Sequence, residues 1–200
     1  MDRRAEQGRA TREHLVAVAT RLFAEHGYEG TSIEAVLEEA GVSRGSLYHH
    51  FKSKDALFDE VLEAVETRIG EETLAAIVAE TDPADPDPVV ALRAGSRAWI
   101  RLAGDPVVRR ILLVDAPAVI GWDRWREIEE QHALGGVKLT MQAAAERGLV
   151  RPEMVDLFAH MLLAGVNEIA LVLARSPDDP DARRAAEAAV DDFVARLLGG

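Results

Sequence analysis

TSIEAVLEEAGVSRGSLYHHFKSK, running from Thr31 to Lys54, reads as one helix, a turn at Gly41 and a second short helix. Thr31 and Glu34 stand at capping-box spacing, which predicts a helix start at Thr31. Ile33, Val36, Leu37 and Ala40 recur at the helical period and form its inner face. Ser43 is placed to cap the second helix, over residues 44–51. Leu47 and Phe51 lie four apart and point inward, so Arg44, Ser46, Tyr48, His49 and His50 are left facing out. Two helices joined in this way form a helix-turn-helix, whose second helix enters the major groove of DNA.

The chemistry of the outward residues agrees with that use. Arg44 can pair bidentately with guanine. Ser46 and the amides at the helix start can bind phosphate, and Gly45 lets a duplex approach closely. Tyr48, His49 and His50 make a flat ridge of hydrogen-bonding groups. Lys54 can reach a phosphate with its ammonium.

Outward from this stretch the pattern stays helical. Residues 1–10 are polar and aperiodic, which predicts a flexible arm carrying Arg3, Arg4 and Arg9. Leu15, Ala19, Leu22 and Phe23 predict a first helix over 11–26, stopped by Gly27. Ser53 is expected to cap a long fourth helix with the stripe Phe58, Val61, Leu62, Val65 and Ile69. TDPADPDP, residues 81–88, interrupts the chain. Helices are expected over 89–103, 106–114, 122–147 and 152–175, with 116–121 as a connection and a break at Gly135-Gly136. Ser176-Pro177 or Asp179-Pro180 opens the last helix. No useful stretch has the two-residue strand period. The fold class is all-α, with about nine helices. Residues 1–10 form the arm, 11–54 the helix-turn-helix domain and 55–200 an effector-binding and dimerisation domain.

The 200 residues carry a net charge of −12. Residues 1–54 are neutral, so the whole excess lies in 55–200. Only the potential within a Debye length of ~8–10 Å matters to a phosphate, so an acidic remainder is compatible with a DNA-reading head. The chain has no cysteine, which excludes disulfides, thiolate catalysis and Cys-ligated zinc and fits a cytoplasmic protein. The most apolar run, 154–174, contains Asp156, His160, Asn167 and Glu168. Four such groups argue for a buried helix and against a membrane span.

LFAEHGYEGTSIEAV followed by EEAGVSRGSLYHHFKSKDALF resembles the DNA-binding domain of the tetracycline-repressor (TetR) family of transcription regulators. The resemblance runs from Thr11 to about Leu62. It implies a homodimer whose two recognition helices read a near-palindromic operator in double-stranded DNA. It also implies a C-terminal helical domain that binds a small molecule and thereby lowers DNA affinity. By the same resemblance, Thr31, Ser43, Arg44, Ser46, Tyr48, His49 and Lys54 are DNA-contacting positions. The chain departs from the family pattern at Leu37, where alanine is common. A second departure is the acidity of the first helix of the motif, with Glu34, Glu38 and Glu39. That acidic face is expected to point to solvent, away from DNA.

In the C-terminal part, Trp99, Trp122 and Trp125 supply aromatic walls, and His132, His160 and Asn167 supply polar groups within apolar helices. These six are the candidate effector pocket. The apolar helix and the last helix are the candidate dimer surface, through Leu162, Val166, Ala170, Ala185, Ala189, Phe193 and Leu197. Glu129 and His132 have Glu-x-x-His spacing, and Asp156 and His160 lie four apart, but neither pair completes a metal site. No nucleophile elbow, P-loop or dinucleotide fingerprint is present, so no catalytic residue, metal or cofactor is assigned. The reading is a transcriptional regulator, a repressor released by a small-molecule effector. The alternatives are an activator with the same head, or a helical ligand- or metal-binding bundle that binds no DNA.

Overall fold

The computed structural model describes residues 3–175 and 179–198, with side chains from residue 6 onward. The described residues form nine helices and no strand. They are α1 (Arg3–Gly30), α2 (Ile33–Ala40), α3 (Arg44–His50), α4 (Lys54–Glu80), α5 (Pro88–Ala103), α6 (residues 106–119), α7 (residues 122–146), α8 (Val155–Leu173) and α9 (Pro180–Leu197). They divide into two compact units. One is Met1–Glu66 with Pro106–Trp122, and the other is Thr67–Asp105 with Asp123–Gly200.

The first unit is built on an aliphatic and aromatic centre. Leu15, Ala19 and Phe23 of α1, Leu47 of α3, and Leu57, Phe58 and Val61 of α4 are completely buried. Phe23 meets Phe58 edge-on at 5.3 Å, and Tyr28 meets Phe58 edge-on at 5.0 Å, an arrangement that suits the ring quadrupoles. Residues 106–119 complete this centre through Val108, Ile111, Leu112 and Ala116. The unit therefore extends past the expected 11–54 at both ends, because those three helices alone would leave Phe58, Val61 and Ile111 uncovered. The backbone is already helical from Arg3, in place of the expected arm over 1–10. Helix formers dominate that stretch, and Glu6 in the first turn complements the helix dipole. The side chains of Arg3 and Arg4 lie outside the described residues.

Gly27 interrupts α1 with φ 74° and ψ 172°, a conformation closed to other residues. Here the buried Asp115 accepts the Tyr28 backbone N–H at 2.7 Å and the Arg110 Nε at 3.2 Å. Arg110 and Asp115 are five apart, and they share a face because Arg109–Asp115 is a π-helical turn. The expected connection at 116–121 is instead helical as far as Val119. The wide π turn just ahead of Pro117 accommodates a residue that lacks the N–H an α-helix needs.

The second unit has its own core. Leu92 and Ile100 of α5, Leu134, Met141 and Ala144 of α7, Ala159, Leu162 and Val166 of α8, and Val190 and Val194 of α9 pack together. Arg97 ties α5 to α9, with Nη1 at 2.7 and 2.8 Å from the two Asp191 carboxylate oxygens. Asp87 caps α5 and Asp179 caps α9, each with proline in the first turn. The alternative start at Ser176-Pro177 lies outside the described residues. The glycine pair does not break α7. A π turn at Glu130–Leu134 comes just before it and the helix resumes at Gly135.

Candidate nucleic-acid interface

Helix α2 opens one residue later than its spacing suggests. Ser32 is the N-cap, and its hydroxyl accepts the Ala35 N–H at 3.1 Å. Thr31 instead turns inward. It is 2% exposed, and its hydroxyl is shared between the carbonyls of Leu22 at 3.1 Å and Gly27 at 2.9 Å. Thr31 is therefore withdrawn from the DNA-facing set. It fastens the end of α1 to the start of α2. Replacing it by the near-isosteric valine removes both of these buried hydrogen bonds. We expect a loss of about 1–3 kcal/mol in urea unfolding, with DNA affinity per folded molecule unchanged. A loss of affinity without a loss of stability would restore Thr31 as a contact.

Gly41 ends α2 in the left-handed region, at φ 65° and ψ 27°, and its N–H donates to the Glu38 carbonyl. Ser43 caps α3 by accepting the Ser46 N–H at 3.2 Å, so that amide is committed inside the protein. Leu47 and Phe51 are 0% and 2% exposed and fasten α3 to the core. Ser43, Arg44, Gly45, Tyr48 and His49 are exposed, and Ser46, His50 and Lys54 are half-buried. A side chain at Gly45 would meet nothing within 4 Å, so the space in front of it is open. The His49 and His50 rings stack edge-on with centroids 5.1 Å apart and continue the ridge. Lys54 rests its ammonium 4.0 Å over the Tyr28 ring. Burial and, next, the hydrogen bond to Asp55 hold the Tyr28 phenol well above its ordinary range, so it stays protonated.

The acidic residues of α2 do not behave as one solvent-facing set. Glu39 pairs with Arg21 of α1, whereas Glu34 pairs with Arg44 at the head of α3. Sequence spacing did not indicate the second pair, because its members are ten residues apart on different helices.

The candidate effector residues do not gather into one pocket. Trp125 is 2% exposed. Trp99 packs against the core of the second unit, with a buried indole N–H that has no hydrogen-bond partner among the described residues. Asn167 donates to the buried Glu129 carboxylate. His160 is half-buried and lies 3.8 Å from Asp156. Trp122 is 51% exposed, and His132 is also on the surface. Both are withdrawn from the pocket, because the turns that carry them put them on the outer face. A cleft of about 400 Å³ in the second unit is lined by Glu72, Ala98, Arg101, Leu102, Asp105 and Arg183 around Gly104, none of them among the six. Glu129 was legible in the sequence only as half of an incomplete metal pair. Its burial against Asn167 makes it a polar centre of this domain.

The dimer candidates separate by helix face. Leu162, Val166 and Ala170 are 1%, 4% and 0% exposed and belong to the core of their own chain. The outer face of α8 carries Leu157, Met161, Ala164 and Val172. On α9, Ala185, Ala189 and Phe193 face out, Leu197 is half-buried, and Ala186, Val190 and Val194 face in. The apolar helix is thus buried along one side only.

A capped short helix held outward across a glycine turn is the frame of a helix-turn-helix DNA-binding regulator. Residues 89–197 match the family described as "Tetracyclin repressor-like, C-terminal domain". Residues 15–61 match "Bacterial regulatory proteins, tetR family". The chain belongs to the TetR family. It is 44% identical over 66 residues to the HTH-type transcriptional regulator AcrR of Shigella flexneri, covering 33% of this chain and 31% of that protein. It is 44% identical over 62 residues to the HTH-type transcriptional repressor KstR2 of Mycobacterium tuberculosis, covering 31% of each. The aligned part is thus about a third of each relative's length. A TetR-family transcriptional regulator from Pectobacterium atrosepticum has the same fold, with a TM-score of 0.79 and 26% identity, covering 99% of this chain and 98% of that one. The family is one of DNA-binding regulators, not enzymes.

Proposed function

We propose that this chain is a homodimeric repressor that reads a palindromic operator and is released from it by a small-molecule effector in the bacterial cytoplasm. The observation that carries the reading is the ridge of Arg44, Tyr48 and His49. It stands in solvent on a helix whose Leu47 is wholly buried. Ser43, Gly45, Ser46, His50 and Lys54 flank that ridge and complete the DNA-facing set. One recognition helix of seven residues offers too few base contacts for nanomolar binding, so two copies are required. The outward faces of α8 and α9, with Leu157, Met161, Val172 and Phe193, supply the pairing surface as a four-helix bundle.

The effector binds in the second unit, the part that matches the family's C-terminal domain. Helix α4 starts immediately after the recognition helix and continues into the second unit. Ligand binding shifts the population of α4 positions and changes the separation of the two reading heads from the roughly 34–36 Å that fits successive major grooves.

The test is a binding titration on a duplex carrying the chain's own upstream intergenic DNA, at 50 and 200 mM salt. Displacement of counterions from several phosphates predicts an affinity loss of about a hundredfold or more. Binding that is absent, or insensitive to salt, would overturn the reading.

A further inference from the structure

We propose that Glu34 is a positioning residue for Arg44. It turns that arginine toward a guanine edge and away from phosphate, and so sets base specificity at one position of each half-site. The inference rests on the DNA-reading role given above.

Arg44 is the first residue of α3, and a cation at a helix N-terminus is opposed by the helix dipole. Glu34 lies in the first turn of α2, where the dipole of its own helix favours a carboxylate. The Glu34 carboxylate accepts from Nη2 of Arg44 across the two helices. Both side chains are more than half exposed, at 65% and 60%, so the pair contributes little to folding. Its effect is on direction. A guanidinium has five donors in a rigid plane, and one carboxylate oxygen on Nη2 biases the direction in which that plane turns. Guanine O6 and N7 require two parallel donors, and enough remain on the group to serve them while Glu34 stays in place. A phosphate is different. It would bring a second anion beside Glu34, and that repulsion weakens sequence-independent binding. The neighbouring Gly45 leaves the approach unobstructed. The third acid of the helix, Glu39, is held by Arg21 on α1.

The experiment selects duplexes from a randomised double-stranded library with the full-length protein, Glu34→Gln, Arg44→Ala and the double variant. It also measures affinity for one random-sequence duplex. Glu34→Gln should lower the guanine preference at one symmetry-related pair of positions by about tenfold, the discrimination that one bidentate contact carries. It should also raise affinity for the random duplex severalfold and leave thermal unfolding unchanged. In the Arg44→Ala background the same change should leave base preference untouched, which a general structural role would not produce. A motif that Glu34→Gln leaves identical at every position overturns the inference alone. A parent protein that enriches no motif overturns the DNA reading and this inference with it.

Discussion

Replacing Tyr48 by alanine should abolish operator binding at concentrations where the parent is saturated. Tyr48 is 44% exposed in the middle of α3, about 100° around the helix from the buried Leu47. It is not among the buried core residues, and alanine is the better helix former, so the fold should be intact. A base-edge contact is worth about 1–3 kcal/mol, and a symmetric dimer loses it twice. Affinity should then fall by about thirtyfold to ten-thousandfold. Fluorescence anisotropy on the upstream duplex measures this, with circular dichroism melts as the control. Leu47→Ala makes the contrast. It should lose binding and stability together, the latter by about 3–5 kcal/mol, because a fully buried leucine leaves a cavity. Parent-like binding by Tyr48→Ala would remove the ridge from the DNA interface.

The helix-turn-helix was legible because its signals are local. Gly41 supplies a left-handed cap, Ser43 supplies a cap three residues before the amide it accepts, and Leu47 and Phe51 recur at the helical period. The expectation for Thr31 failed for an equally physical reason. Thr31 and Ser32 are both good caps, and sequence alone does not say which one turns inward to meet the carbonyls left at the broken end of α1. Glu34–Arg44 and Asp115–Tyr28 were not legible, since each joins residues on different helices. The π turns were not legible either. A π turn inserts one residue into a helical pattern, which blurs the period and resembles a break at Gly135-Gly136 or a loop near Pro117. The sequence suggested a pairing surface on α8 because that helix is apolar on nearly all sides. Its outward face was not legible, because periodicity reports the stripes but not which one the chain's own core takes.

That ambiguity gives the second large effect. On α8, Met161 is 54% exposed while its neighbour Leu162 is 1% exposed. Met161 shares its face with Leu157, Ala164 and Val172. Gly165, one turn on, lies close to Phe193 of α9, since a Cβ built there would be 4.0 Å from that ring. The two helices thus present apolar residues on their outer faces, with the exposed Glu168 between Ala164 and Val172 on α8. If α8 and α9 form the two-fold interface proposed above, Met161→Asp places two carboxylates among its apolar side chains. Each buried, unpaired charge costs several kcal/mol, so dimer affinity should fall by about a thousandfold or more. Light scattering should then report the 21.8 kDa chain as a monomer. The melt should be that of a folded chain, and operator binding should be lost with the second head. Leu162→Asp should behave differently. It buries a carboxylate in the core of the second unit and should leave no cooperative unfolding transition. If Met161→Asp remains a dimer that binds DNA, the subunits pair through another face, and the outward strip on α8 and α9 has a different occupant.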